Sequence, residues 1–314
     1  MYRIGIDLGG TNVAVGLVDG AHRIIAHRSV PTEADRGTAA VIDDMARAVD
    51  SVLTDAGLTP AECGGIGIGS PGTCDSGRGT VVRAYNLNWF NVPVCQILRE
   101  RFGVPVYLNN DANCAALAET VAGAARGVQN MVLITLGTGV GGGIILNGKI
   151  HAGLRSAGAE LGHILLVLDG EPCTCGRRGC WEAYASATAL IRQTQKAALA
   201  NPDSLLAQTS PEDMTGRTVF EAADRGDTAA QAVIDRYCTY IAAGFTDIVN
   251  ALAPEMILLG GGISREGERI LQPIRDYVAD HCFGQHEGAI PVIAAAQLGS
   301  EAGIIGAAAL CETT

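Results

Sequence analysis

Residues 2–30 alternate between apolar positions and polar or glycine positions, a pattern that predicts strands rather than helix. Three strands are expected, over 2–9, 12–19 and 23–30, joined by tight turns into an antiparallel meander. The period then changes, and a helix is predicted over 38–56, where apolar residues recur close to helical spacing at Val41, Ile42, Met45, Val49 and Val52. The chain therefore begins as a mixed α/β protein.

The rest of the chain continues with strands and helices in alternation. A buried strand over 64–70 ends at Pro71-Gly72, and the stretch 73–91 is expected to be loop and short strand. A helix, a strand and a second helix follow, over 92–102, 104–109 and 112–123. The second half should begin with a strand pair, 131–137 and 140–148, followed later by a helical stretch over 217–252. A strand running into a glycine turn is expected over 254–264 and a helix over 265–281. The chain should end with a strand over 290–296 and a closing helix over 301–311.

The two halves begin with the same kind of hairpin. At a constant offset of 128 residues, similar or identical residues recur at Leu8/Leu136, Gly9/Gly137, Leu17/Ile145, Val18/Leu146, Asp19/Asn147 and Gly20/Gly148. Each half thus opens with two strands around a turn that is rich in Gly and Thr. The repeat predicts two duplicated lobes, each of which offers one such hairpin to a shared cleft.

Composition and charge limit the class of protein. Hydrophobic residues make up 48% and charged residues 18% of the 314 positions, which suits a well-buried protein long enough for two lobes. The net charge of −11 argues against a nucleic-acid or an anionic membrane surface. The longest uncharged run, 127–148, has glycines in its middle and predicts strand, turn and strand rather than a membrane helix. Because the N-terminus lacks a basic region followed by an apolar one, we expect a cytoplasmic protein.

Three of the ten cysteines are clustered in CTCGRRGC, residues 173–180. In a reducing compartment a disulfide framework is not expected, and the other seven cysteines are interpreted as small core residues. A histidine lies ten residues before the cluster, which completes the ligand set of a tetrahedral zinc site: His163, Cys173, Cys175 and Cys180. Because four protein ligands leave no position for a catalytic water, we predict a structural zinc that fixes the loop 160–182.

Glu160 and Glu182 lie at the two ends of this loop. Carboxylates that a metal loop holds rigidly would suit the binding of sugar hydroxyls, although ordinary surface charges fit both residues as well. His163 has a second ring nitrogen that can face a substrate while the first binds the metal.

Glycine-rich turns follow several predicted strands. DLGGTN, residues 7–12, can present backbone N–H groups and the Thr11 hydroxyl to a phosphate, while Asp7 holds Mg²⁺ through water; an ordinary hairpin turn is the alternative. LGTGVGGG, residues 136–143, repeats the pattern in the other half, which favours phosphate binding in both turns. LLGGGIS, residues 258–264, is a third turn, where an adenosine can lie against bare backbone. No P-loop motif is present in the sequence.

NNDAN, residues 109–113, stands between a predicted strand and a predicted helix. Asn and Asp are preferred helix N-caps, so capping alone accounts for the motif. Alternatively, Asp111 is a general base that takes a proton from a substrate hydroxyl during phosphoryl transfer. Local sequence leaves both interpretations open.

Taken in order and spacing, DLGGTN, NNDAN, LGTGVGGG, GAELGH (158–163) and CTCGRRGCWE closely resemble the ROK family of repressors, open reading frames and kinases. The resemblance runs from Met1 to the closing helix. It implies the actin-like, ribonuclease H-like ATPase fold, with a small lobe over 1–109 and 300–314 and a large lobe over 110–299. It also implies a homodimer or a homotetramer.

By the same resemblance, Asp111 is the catalytic base that takes the proton of a sugar 6-hydroxyl before attack on ATP. The residues that match sugar-binding positions are Asn110, Asp111, Glu160, His163 and Glu182. Those that match the phosphate and adenosine turns are Asp7, Gly9, Gly10, Thr11, Gly137, Thr138, Gly139, Gly261 and Gly262. The predicted zinc ligands match the family's zinc ligands.

The resemblance predicts an ATP-dependent hexose kinase that uses Mg²⁺ with ATP, and glucose is the expected sugar. Kinases for N-acetylmannosamine, N-acetylglucosamine or fructose are the alternatives, because the pocket shape around 70–72 and 83–91 cannot be read from sequence. A sugar-responsive repressor without a DNA-binding domain is the less favoured reading, since the first strand starts at residue 2 and the charge is acidic.

Overall fold

A computed structural model describes residues 1–284 and 288–312, and these group into two compact units. The first unit comprises Met1–Leu133, Gly143–Ala159 and Ala296–Thr314; the second comprises Ile134–Gly142 and Glu160–Ala295. The lobe boundaries expected from the sequence stay a prediction, and residues 313 and 314 of the small lobe lie outside the described part of the chain.

The predicted strands and helices occur in the predicted order, and two further helices, over 182–185 and 187–200, were not predicted. The strands are β1 (Tyr2–Leu8), β2 (Asn12–Val18), β3 (Ile24–Pro31), β4 (Cys63–Ser70), β5 (Thr73–Asp75), β6 (Thr80–Ala84), β7 (Trp89–Val92), β8 (Val106–Asn110), β9 (Met131–Leu136), β10 (Val140–Leu146), β11 (Lys149–Ile150), β12 (Met256–Gly261) and β13 (Val292–Ala295). The helices are α1 (Thr38–Ala56), α2 (Val94–Phe102), α3 (Asp111–Val121), α4 (Glu182–Ala185), α5 (Ala187–Ala200), α6 (Thr218–Asp224), α7 (Thr228–Leu252), α8 (Glu268–His281) and α9 (Ala302–Ala309).

Two five-stranded sheets share one topology. The first has the order β3-β2-β1-β4-β8, in which β1, β2 and β3 are antiparallel and β4 and β8 are parallel additions. The second has the order β11-β10-β9-β12-β13, with an antiparallel β10–β11 pair and a parallel β12–β13 pair. The matching order confirms the duplication that the repeated hairpins predicted.

The core of the first unit lies between its sheet and α1. All five apolar residues that predicted α1 are buried, and they belong to one cluster with Ile4 and Ile6 of β1. The stretch 73–91 contains short strands and loops as expected, and its strands pair into a small antiparallel sheet, β5-β6-β7, whose Trp89 is fully buried.

The closing helix α9 lies directly on the backbone of the first sheet. A Cβ atom at Gly5 would collide with the carbonyl of Ile304, and one at Gly67 with the carbonyl of Ala307. On the other side of α9, Gly306 faces the Cys114 carbonyl of α3 in the same way. Glycine is required at these contacts because any side chain would separate the layers.

In the second unit, α7 is the central helix. The predicted helical stretch 217–252 is interrupted, because Gly226 adopts φ 86° and the Asp227 side chain accepts a hydrogen bond from the Ala230 N–H, which caps α7. The fully buried Trp181 packs against Gly244 of α7 and donates its indole N–H to the Tyr240 carbonyl at 2.8 Å. The chain that follows the cysteine cluster is thereby fastened to α7. Among the described helices, none combines the length and apolar character that a membrane span requires.

Replacing Gly67 by alanine should lower the free energy of unfolding by about 1–3 kcal/mol, because the new methyl group would collide with the backbone of α9. Gly77→Ala is the matched control: Gly77 is exposed, and the nearest atom to an added Cβ is 3.6 Å away. Urea denaturation of both variants checks the prediction. Equal stability of the two would contradict the close packing of α9 on β4.

Candidate functional site

Two carboxylates lie close together in the first unit, Asp7 near the end of β1 and Asp111 at the start of α3. Burial, and secondarily the negative charge of Asp111, raises the pKa of Asp7 to about 6. Gly303 of α9 leaves the space that the Asp7 carboxylate occupies, since a Cβ there would collide with it. The packing of α9 thus holds a carboxylate whose charged form is costly and which a nearby cation would stabilise.

Asn110 caps α3. Its Oδ1 accepts hydrogen bonds from the N–H groups of Ala112 at 2.9 Å and Asn113 at 3.4 Å, and its Nδ2 donates to the Gly72 carbonyl at 3.2 Å. The Asp111 Oδ1 accepts from the Ala112 N–H at 2.8 Å. The capping interpretation of NNDAN is therefore confirmed for Asn110, while Asp111 lies in the first turn of the helix, partly buried.

Sequence reasoning missed a polar pair behind this helix start. The buried Asn109 accepts hydrogen bonds through Oδ1 from the Asn110 N–H at 2.9 Å and from Asn113 Nδ2 at 3.0 Å. The signal was available in two asparagines four residues apart, a spacing that lets side chains meet across a helix start. This pair joins the end of β8 to α3 and fixes where Asn110 and Asp111 lie.

The first glycine turn is held from below by a threonine that the sequence analysis did not single out. Thr32 is fully buried; its hydroxyl donates to the Gly9 carbonyl at 2.7 Å, and its N–H donates to the Thr11 carbonyl at 2.8 Å. Gly10 and Thr11 themselves are exposed. The hydrogen bonds from Thr32 therefore fix the turn, while the exposed backbone at Gly10 and Thr11 is open to a ligand, as an anion-binding turn requires.

The second glycine turn, Gly137–Gly139, is held by the chain around α4 and α5. The N–H of Ala187 donates to the Gly137 carbonyl at 2.9 Å, and the Thr188 hydroxyl donates to the Thr138 carbonyl at 2.9 Å. The Val140 N–H, directly after the turn, donates to Glu182 Oε2 at 3.0 Å.

The second and third glycine turns meet within the second unit. Gly261 has φ 86°, and a Cβ there would collide with the Leu136 carbonyl, so β12 can end beside β9 only with glycine at this position. A cavity of about 420 Å³ lies here, lined by Leu136, Gly137, Thr138, Ala187, Gly216, Arg217, Phe220, Gly262, Ile263, Arg265 and Glu266. The sequence analysis predicted Gly137, Thr138 and Gly262 of this lining; it missed the residues from 216–220, because that segment has no motif of its own.

The four predicted metal ligands form one cluster. The candidate ligand atoms of His163, Cys173, Cys175 and Cys180 all lie within 4.8 Å of one another. Cys173 Sγ is 3.6 Å from His163 Nδ1, and Cys175 Sγ is 3.7 Å from Cys180 Sγ. A disulfide would bring two sulfur atoms to about 2.05 Å, so these cysteines are not bridged.

These distances fit a tetrahedral zinc. Sulfur atoms at about 2.3 Å from such an ion are about 3.8 Å apart, and a sulfur and an imidazole nitrogen are about 3.6 Å apart. Gly176 and Gly179 supply the left-handed turns of the loop, with φ 86° and 77°. A side chain at Gly179 would also collide with the Val167 carbonyl.

Three of the predicted sugar residues, Glu160, His163 and Glu182, belong to the metal cluster or adjoin it within the second unit. The His163 N–H donates to the Glu160 carbonyl at 3.0 Å, and the Glu160 side chain is exposed. Because His163 turns Nδ1 toward Cys173, its Nε2 is the nitrogen left for other contacts. Glu182 Oε1 accepts a hydrogen bond from the Thr174 hydroxyl at 3.1 Å and lies 3.6 Å from Cys173 Sγ.

Asp7→Asn should stabilise the protein at pH 7.5 by up to about 3 kcal/mol, because the raised pKa of Asp7 makes its charged form costly in the folded state. The folded protein holds the Asp7 proton up to about pH 6, whereas the unfolded chain loses it near pH 4. The wild type therefore loses stability relative to the variant between these two pH values. Urea denaturation at pH 4.5, 6 and 7.5 checks this, and a difference that does not change with pH would contradict it.

Comparisons with known proteins agree with this architecture. The family model described as the ROK family matches residues 3–314. The chain is 37% identical over 309 residues to a glucokinase of Halalkalibacterium halodurans, an alignment that covers 97% of this chain and 93% of the relative.

Two solved structures extend the likeness to three dimensions. A ROK family glucokinase from Streptomyces griseus, solved in complex with glucose and AMPPNP, is 37% identical with a TM-score of 0.82 and full coverage of both chains. A ROK hexokinase from Thermus thermophilus is 35% identical with a TM-score of 0.82, covering 98% of this chain and 97% of that chain. The duplicated sheets are those of the actin-like ATPase fold, and the chain belongs to the ROK family.

Proposed function

We propose that the protein is an ATP-dependent hexose kinase that phosphorylates the 6-hydroxyl of glucose. The observation that carries the proposal is the full-length likeness, at 37% identity, to the Streptomyces griseus enzyme solved with glucose and AMPPNP. Each unit supplies matching features. The first has a partly buried carboxylate, Asp111, and an exposed glycine turn, and the second has another exposed glycine turn and a cavity beside the turn assigned to adenosine.

Asp111 is the proposed general base. Its carboxylate takes the proton of the sugar 6-hydroxyl, the 6-oxygen attacks the γ-phosphorus of ATP, and the bond to the β,γ-bridging oxygen breaks to release ADP. The Ala112 N–H, in the first turn of α3, donates to Asp111 Oδ1 and helps to fix the direction of this carboxylate. The Asn109–Asn113 pair behind it limits how far this carboxylate can shift.

Asp7 is the proposed anchor for the magnesium ion that accompanies ATP. Its carboxylate is of the type that Mg²⁺ binds, directly or through water, and the bound ion would neutralise phosphate charge. A buried carboxylate with a raised pKa beside a second one fits this assignment, since a cation would relieve both burial and repulsion.

The ligand contacts are assigned residue by residue as the sequence motifs suggested. Sugar hydroxyls are assigned to Asn110, Asp111, Glu160, His163 and Glu182. The phosphates are assigned to Gly9, Gly10 and Thr11 and to Gly137, Thr138 and Gly139, and the adenosine to Gly261 and Gly262. The cavity lined by Gly137, Thr138 and Gly262 supports the assignment of phosphate to the Gly137–Gly139 turn and of adenosine to Gly261 and Gly262.

The Cys₃His cluster is proposed to hold a structural zinc. Four protein ligands close the coordination sphere, so the ion supplies folding energy to the loop rather than an activated water. When Cys173 binds as a thiolate it has no proton to donate, which leaves the Thr174 hydroxyl as the donor from this loop to Glu182.

N-acetylhexosamines and fructose remain the alternative sugars of the same reaction, and a homodimer or homotetramer remains the predicted assembly. Neither alternative sugar is favoured by a specific contact in the described residues.

Asp111→Asn should lower kcat for glucose phosphorylation by about 100- to 10,000-fold, because the amide cannot accept the hydroxyl proton. Glucose affinity, measured by calorimetry, should change little, since Asn keeps a hydrogen-bonding group of the same shape. Asp35→Asn, an exposed carboxylate of the same unit, is the control and should keep wild-type turnover. Near-normal kcat in Asp111→Asn would refute the assignment of the base.

Cys175→Ser should reduce bound zinc from about one ion per chain to a small fraction and lower the melting temperature, because three ligands bind the ion more weakly than four. Elemental analysis and thermal denaturation measure both effects. Cys311→Ser, which alters a cysteine outside the cluster, should keep its zinc. Full zinc retention by Cys175→Ser would remove Cys175 from the ligand set.

A further inference from the structure

Glu182 connects the cysteine loop to the second glycine turn. One carboxylate oxygen, Oε1, accepts a hydrogen bond from the Thr174 hydroxyl at 3.1 Å, and the other, Oε2, accepts one from the Val140 N–H at 3.0 Å. A sugar-binding residue needs neither contact. The carboxylate therefore connects the loop that carries the three cysteine ligands to the backbone directly after the Gly137–Gly139 turn.

The fit between this carboxylate and the turn is close. A Cβ at Gly139 would collide with Glu182 Oε2, so a side chain at this position would displace the carboxylate from the turn. The turn also accepts hydrogen bonds from Ala187 and Thr188, which belong to the helix start that follows Glu182 in the chain. The segment 182–188 thus fixes the turn, and Thr174 fixes one end of that segment.

We propose that Thr174 is a positioning residue for the nucleotide: through Glu182 it sets the orientation of the Val140 amide and of the Gly137–Gly139 turn, so that the metal loop tunes affinity for ATP. This inference rests on the proposed function, because it takes the turn to bind the phosphates of ATP. The metal loop then serves both substrates, the sugar through His163 and Glu160 and the nucleotide through Thr174.

Thr174 is suited to a clean test because its side chain is exposed and is not one of the candidate metal ligands. Thr174→Val keeps the shape but removes the hydroxyl, and Thr174→Ser keeps the hydroxyl but removes the methyl group. Loss of the hydrogen bond to a carboxylate that holds the turn should weaken Mg·AMPPNP binding about five- to tenfold.

The experiment measures Mg·AMPPNP and glucose binding by calorimetry, and zinc by elemental analysis, for wild type, Thr174→Val and Thr174→Ser. We expect Thr174→Val to lose more affinity for the nucleotide than for glucose, to which Glu182 is one of several proposed ligands, with zinc content unchanged. Thr174→Ser should restore nucleotide affinity. Unchanged nucleotide affinity in Thr174→Val, an equal loss for glucose, or a loss of zinc would each overturn the proposal.

The same data separate this inference from the proposed function. A wild type that binds neither Mg·AMPPNP nor glucose would mean that the kinase assignment itself is wrong. A wild type that binds both, with a Thr174→Val variant indistinguishable from it, would leave the kinase assignment in place and overturn only the role of Thr174.

Discussion

The close approach of α9 to the backbone of the first sheet is the constraint on which the acidic half of the site depends. Glycines on β1, β4 and α9 bring helix and strands to direct backbone contact, and Gly303 leaves just the space that the Asp7 carboxylate fills. The same helix packs on α3, which begins at Asp111. The carboxylates of Asp7 and Asp111 are thereby held near each other and partly buried. Burial and repulsion raise the pKa of Asp7, so a bound cation would stabilise its charged form.

In the second unit a short loop with little regular structure positions the candidate site residues, as α9 positions the carboxylates in the first unit. Between Glu160 and Glu182 the chain forms only a one-turn helix and isolated bridges, so a metal ion bound by its cysteines and histidine would supply the rigidity that regular structure does not. Trp181 fastens the end of the loop to α7, and Glu182 then reaches the glycine turn. A zinc bound to this loop would therefore affect both proposed substrates without taking part in the chemistry, because it would determine where these side chains lie.

Much of this was predictable from local sequence. Strand and helix order followed from apolar periodicity, the duplication followed from hairpins 128 residues apart, and the metal cluster followed from ligand type and spacing. What could not be predicted depends on contacts between distant segments. Thr32 beneath the first turn, Arg217 and Phe220 in the cavity, and Thr174 against Glu182 have no local signature. The break at Gly226 was visible as a Gly-Asp pair, but the apolar pattern on both sides obscured it.

The central claim is that this constellation transfers the γ-phosphoryl group of ATP to a hexose. The most direct test is ADP formation by the wild-type protein with Mg·ATP and, in turn, glucose, mannose, fructose, N-acetylglucosamine and N-acetylmannosamine. We predict sugar-dependent ADP formation with the highest kcat/KM for glucose. A folded, zinc-loaded protein that forms no more ADP with any of these sugars than without them would contradict it.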